Sequence, residues 1–217
     1  MKISTNTVNV LKNFAKINPS ILIQEGNTLK TMSPSKTIMA KATVDTDFPK
    51  RFAIYNLDRF ISTASLFNDP NFDFGDRTVT IKEGDKKTDY VYADENTITK
   101  APDREINLPS VDVTVNLTHE NLKEVEKAGG VLGLPEIVVV GDGKNVHLQA
   151  ADSKNSSGDV YSVKIGDTTK TFKAIFKSEN IKIIPGDYEV TISSRGISNF
   201  KGKEAEYWIA VEQSSSF

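Results

Sequence analysis

The chain has 217 residues, 38% of them hydrophobic and 26% charged, with a formal net charge of −2, ordinary values for one large or two small globular domains. Cysteine is absent, which excludes a disulfide framework and thiolate metal sites and makes a cytoplasmic setting the simpler expectation. No apolar run is long enough to cross a bilayer as a helix, the opening MKISTNTVNVLKNF lacks the apolar core of a secretory signal, and near-neutral charge requires any DNA-binding surface to gather its lysines on one side.

Thr5 to Ile17 has Val8, Leu11, Phe14 and Ala15 at helical spacing, with Lys12 and Lys16 on the other side, and Pro19 ends it. Strands are expected at 20–27, 28–33, 38–45 and 51–55. Asn56 then caps a helix over 57–67, with Leu57, Phe60, Ile61 and Ala64 on its buried side and Arg59 opposite. Strands at 71–74, 77–82 and 88–93 follow. Residues 95–110, ENTITKAPDREINLPS, hold two prolines and little periodicity, so they read as a linker between domains 1–94 and 111–217. Ile106 and Leu108 stand out as apolar residues on it. The second half is expected to hold a strand at 111–117, a helix at 119–128 capped by Thr118 and stopped by Gly129-Gly130, and a hairpin of 136–141 with 146–150 about Asp142-Gly143. After a polar loop at 153–159 come strands at 160–166 and 170–175, a helix at 176–184 stopped by Pro185-Gly186, and strands at 187–194 and 204–212.

The two halves echo each other. Leu11-Lys12-Asn13-Phe14-Ala15-Lys16 is matched by Leu122-Lys123-Glu124-Val125-Glu126-Lys127, and Ile21-Leu22-Ile23-Gln24-Glu25-Gly26 by Val138-Val139-Val140-Gly141-Asp142-Gly143. Ala53-Ile54-Tyr55 recurs as Ala174-Ile175-Phe176. Two copies of one unit are therefore expected, giving an α+β fold of two similar domains, each with two helices on antiparallel sheets.

Catalytic chemistry is not in view. His119 and His147 lack the neighbours of a metal motif, and the glycines at 129–133 follow a helix where a phosphate loop needs them before one. Asp142-Gly143 lacks the other positions of a calcium loop. Asp45 and Asp47 read as solvated acids at a strand end, and no serine sits in a nucleophile elbow. Asn116 and Asn155-Ser156-Ser157 fit a glycosylation pattern that carries no meaning without secretion. The reading is of a protein that is not an enzyme and takes no cofactor and no metal. Basic groups recur away from the apolar stripes: Lys12 and Lys16, Arg59, Lys123 and Lys127, Lys177 and Lys182. Any one set is an ordinary solvated face, and Asp58, Glu124 and Glu179 strengthen that reading. A repeat would gather all four into one surface that touches phosphates without reading bases.

The chain resembles the sliding clamps of T-even-type tailed phages, the DNA polymerase processivity factors. The resemblance runs over nearly its whole length and is carried by LKNFAKIN at 11–18, AIYNLDRFISTASLFND at 53–69, PGDYEV at 185–190 and EAEYWIAVEQ with the closing Phe217. That family is similar in fold to proliferating cell nuclear antigen and the bacterial beta clamp. The resemblance implies a ring-forming homotrimer with helices lining the hole, placed on double-stranded DNA by an ATP-dependent clamp loader and tethering the replicative DNA polymerase. It also implies service to late-transcription factors, all in the cytoplasm of an infected bacterial host. The seven basic residues would then face DNA. Tyr90, Val91 and Tyr92 are expected to pair with Val160, Tyr161 and Val163 of the next subunit. Partner peptides are expected at Ile106 and Leu108, with Tyr207, Trp208 and Phe217. Two rivals remain open: a monomeric two-domain binding module, and a small carboxylate nuclease.

Overall fold

The computed structural model describes residues 1–155 and 157–217. Of the polar loop at 153–159, Ser156 lies outside the described residues, and with it the Asn155-Ser156-Ser157 pattern. The chain divides into two compact units, Met1–Arg104 and Glu105–Phe217.

In the first unit, helix α1 (Thr5–Ile17) begins where Ser4 Oγ accepts the Thr7 amide at 3.0 Å, an N-cap that satisfies one orphan donor. Ser4 Oγ also donates to Asp45 Oδ1 at 2.6 Å, and this hydrogen bond holds the Asp45 carboxyl below its ordinary range. Asp45 therefore serves the helix start. Strand β1 (Ile21–Ile23) pairs with β4 (Phe52–Ile54), and β2 (Gly26–Met32) with β3 (Ile38–Phe48). Helix α2 (Leu57–Ala64) is capped by Asn56 Oδ1, which accepts the Arg59 amide at 2.8 Å. It stops three residues before the expected 67. Hydroxyls of Thr63 and Ser65 take the carbonyls of Arg59 and Ser62 at 2.7 Å each, and such local bonds compete with the helix ladder. The unit closes with the sheet β5 (Asn71–Phe74), β6 (Thr78–Glu83), β7 (Lys86–Val91) and a 3-10 turn at Glu95–Thr97.

In the second unit, β8 (Val113–Leu117) leads into α3 (His119–Leu132). That helix runs straight through Gly129-Gly130, the expected stop, and ends at Gly133, whose φ of +68° is the left-handed cap. Gly129 is buried on the packed side of α3, where a Cβ would lie 3.4 Å from Cβ of Ala150, an ordinary contact distance. Strands β9 (Glu136–Asp142), β10 (Asn145–Ala151), β11 (Tyr161–Asp167) and β12 (Thr171–Lys177) form one sheet in the order β11-β10-β9-β12. The expected fourth helix at 176–184 is absent. Its first residues finish β12, and only a 3-10 turn, Ser178–Asn180, follows. Beyond it the backbone is tied from both sides: Ile184 N–H donates to the Tyr207 hydroxyl at 3.0 Å and its carbonyl accepts from Tyr188 at 2.5 Å. Strands β13 (Tyr188–Ser193), β14 (Ile197–Lys201) and β15 (Glu206–Ala210) pair in succession, with β8 on the far side of β13. No strand is expected at 197–201 from the sequence, where only Ile197 and Phe200 are apolar. Ser198 is nonetheless fully buried, its hydroxyl donating to Ile209 O at 2.8 Å.

The internal repeat holds at the level of register. Ile21 faces Ile54 and Leu22 faces Ala53 across β1 and β4. The repeat equivalents, Val138 with Ile175 and Val139 with Ala174, face each other across β9 and β12. Leu11 and Phe14 of α1 are buried like Leu122 and Val125 of α3, and the repeat-matched glycines Gly26, which opens β2, and Gly143, just past β9, both take positive φ.

Candidate nucleic-acid and assembly interfaces

Burial of one stripe of each helix decides what the opposite side offers. In α1, Val10, Leu11 and Phe14 are buried, and Lys12 and Lys16 are exposed. In α2, Leu57 and Phe60 are buried and Arg59 is exposed. The two helices pack on each other, with Leu11 and Lys12 meeting Phe60, Ile61 and Ala64 around a small cleft. Three cations thus share one helical layer of the first unit. In the second, Lys123 and Lys127 are exposed on α3, interspersed with exposed Glu120, Glu124 and Glu126. Lys177 and Lys182 leave the expected arrangement because their helix does not form. Lys177 is the exposed last residue of β12, and Lys182 is half-buried past the 3-10 turn and engaged in an interaction of its own. Among the described residues no group of three His, Asp or Glu side chains is placed to hold a metal.

A sheet edge with unpaired amides and carbonyls is a pairing site. In the β5-β6-β7 sheet, the outer side of β5 is occupied: Phe72 N–H donates to Met1 O at 2.7 Å, and the Met1 ammonium donates to Phe72 O at 2.8 Å. In the four-stranded sheet, the outer side of β12 is occupied by the C-terminal segment through Lys173 and Ile175. The opposite outer strands, β7 and β11, end their sheets with no further strand beside them among the described residues. These strands carry the expected interface residues. Tyr90 is half-buried, its ring edge-on to Phe60 at 5.2 Å and its hydroxyl donating to Asn56 O at 3.0 Å. Val91 is 68% exposed, and Tyr92, just past β7, packs on Phe52 at 5.0 Å. On the other edge Val160 is 56% exposed just before β11, Tyr161 donates its hydroxyl to Glu124 of α3, and Val163 is half-buried. Each open edge therefore has a tyrosine anchored to the helix on its sheet. Asn56 and Glu124, which hold these rings, escaped the sequence reading, since a helix cap and a helix-surface acid carry no mark of that role. Met1 and the polar tail escaped it for the same reason.

Ile106 and Leu108 are half-buried in a stretch without regular structure at the start of the second unit. Trp208 is buried on β15, and Tyr207 has no exposed surface at all, so Tyr207 serves the core and offers no ring to a partner. Phe217 is 44% exposed and lies with Arg195, Val211, Glu212 and Ser215 around an open cavity of about 430 Å³.

Comparison with known proteins covers both units. Residues 3–100 match the family described as DNA polymerase processivity factor, and residues 113–213 match the family described as gp45 sliding clamp, C terminal. The sliding clamp of Vibrio phage KVP40 is 34% identical over 220 residues, covering 98% of this chain and 99% of that one. The sliding clamp of Enterobacteria phage T4 is 28% identical over 226 residues, covering 100% and 99%. Among solved structures, the PCNA of A. fulgidus, bound to the C-terminal region of FEN-1, superposes with a TM-score of 0.71 at 12% identity over 96% of both chains. The H. pylori beta clamp gives 0.68 at 14% identity, covering 99% of this chain and 64% of that one. With the repeat held in register and a relative at this identity aligned from end to end, the chain belongs to the phage sliding clamps, the DNA polymerase processivity factors.

Proposed function

We propose that three copies of the chain close head to tail into a ring around duplex DNA, β7 of each pairing with β11 of the next. The observation that carries this reading is that β7 of the first unit and β11 of the second end their sheets with dissimilar edges. A heterologous contact of two different patches generates a ring when its rotation closes, and the family likeness supports three as the number. Lys12, Lys16, Arg59, Lys123 and Lys127 act as loose phosphate counter-charges on the inner face. Lys177 and Lys182 contribute from the strand end and the turn beyond it. Contacts of this kind are independent of sequence and weaken with salt. Topology then retains the ring while low affinity lets it slide. Ile106 and Leu108, with Trp208 and Phe217, receive apolar peptides of the replicative polymerase, so tethering raises its effective concentration at the primer end. The ring does no chemistry of its own. An ATP-dependent clamp loader opens it in the cytoplasm of the infected host, and late-transcription factors use the same surface. The test is topological. Protein loaded on a nicked circle is expected to stay bound through gel filtration and to be lost when the circle is cut once. Equal retention on circle and linear product contradicts encirclement.

A further inference from the structure

Lys173 and Ile175 of β12 turn their backbone groups away from β9, and all four groups of these two residues are taken by the C-terminal segment. Lys173 N–H donates to Ser216 O at 2.8 Å, and Ser216 N–H donates back to Lys173 O at 2.9 Å. Ile175 N–H donates to Ser215 Oγ at 2.9 Å, and Glu212 N–H donates to Ile175 O at 2.9 Å. Between these contacts the segment turns on itself, Ser215 N–H donating to Glu212 O at 3.0 Å. It thus fills the edge without becoming a regular strand that could template another. Gln213, Ser214, Ser215 and Ser216 are polar, whereas β12 itself, TFKAIFK, has Phe172, Ala174, Ile175 and Phe176 buried. A short apolar strand with an open edge is the pattern that recruits further chains.

We propose that Glu212–Ser216 is an edge guard that denies β12 to other copies of the chain and so confines assembly to β7 and β11. Met1 guards β5 in the same way at Phe72. Confinement of assembly to β7 and β11 rests on the proposed ring. An edge that pairs outside the closing contact adds copies without limit, because it does not return to its starting point.

The test releases the guard. Ser215→Ala with Ser216→Pro removes one acceptor and one donor from the segment, and a chain ending at Val211 removes the segment entirely. Mass is followed by sedimentation velocity against concentration, with circular dichroism confirming the fold. Both variants are expected to form species heavier than the parent in growing proportion as concentration rises. Ser216→Pro alone is expected to show the same shift to a smaller extent. Lys173→Pro, added to the released chain, removes an outward donor without touching the β9 ladder and is expected to return the mass to that of the parent. Released chains that keep the parent's mass at every concentration overturn the proposal. So do heavier species that Lys173→Pro leaves unchanged, since another surface then joins them. A parent that is itself monomeric refutes the ring, and the guard is still read as the gain in mass over that monomer.

Discussion

Ile184 shows how single side chains fix a segment that periodicity assigns to a helix. Its amide and carbonyl are held by the hydroxyls of Tyr207 and Tyr188, two rings set edge to face at 6.0 Å. Burial pushes both phenols up, Tyr188 from its ordinary 10.0 to about 12. The fold therefore favours the neutral phenol. This contribution is whole below pH 10, where the unfolded side chain is also neutral, and is lost as pH rises toward about 12. Tyr188→Phe is expected to cost about 1 kcal/mol at neutral pH and to flatten the alkaline unfolding profile, read by urea titration from pH 8 upward. An alkaline profile unchanged from the parent's contradicts the assignment. Gly141 makes a second residue-scale case. A Cβ there would sit 2.4 Å from Cε1 of Phe172 and 2.8 Å from Lys170 O, so Gly141→Ala is expected to destabilise by roughly 1–3 kcal/mol. Gly130, exposed on α3 with nothing within 4 Å of a Cβ, is the contrast: alanine there is expected to stabilise by about 0.4–1 kcal/mol. Equal midpoints for the two variants refute the packing argument.

Among the elements, the helices and strands with strong local signals were legible in the sequence. Ser4, Asn56 and Thr118 cap helices that start where their spacing predicts, and the Asp142-Gly143 turn closes its hairpin in place. What escaped depends on tertiary context. Strand β14 is held by a buried serine, α3 carries its buried Gly129 against Ala150, and Ile184 is tied to the hydroxyls of Tyr188 and Tyr207. Charge on the helices was legible as a face and not as a site, since Lys177 and Lys182 needed a helix that the fold does not build. The proposed DNA face is tested with Lys12, Lys16, Lys123 and Lys127 changed together to Ala. Retention on circular DNA is expected to fall with a shallower dependence on salt, and a parental slope would remove these helices from the DNA. Ile106 and Leu108 changed to Ser are expected to lower polymerase-dependent processivity at an unchanged melting temperature. Unaltered processivity would make them bystanders.

At the scale of the whole molecule, the proposed assembly rests on the sheet edges left without a neighbouring strand. The termini occupy the outer sides of β5 and β12, and among the described residues β7 and β11 end those two sheets with no strand beside them. Outward donors alternate along an edge strand, so of Ser162→Pro and Val163→Pro one is expected to disturb the internal ladder with β10 and the other only the outer edge. The outer-edge variant is expected to lose the assembled form while its melting curve as a monomer stays parental. The closed ring is tested by solution mass, measured by sedimentation equilibrium across a wide dilution series. One assembled species of three chains is expected, dissociating on dilution without passing through larger forms. A strict monomer at every concentration, or an open-ended series of masses, would contradict it.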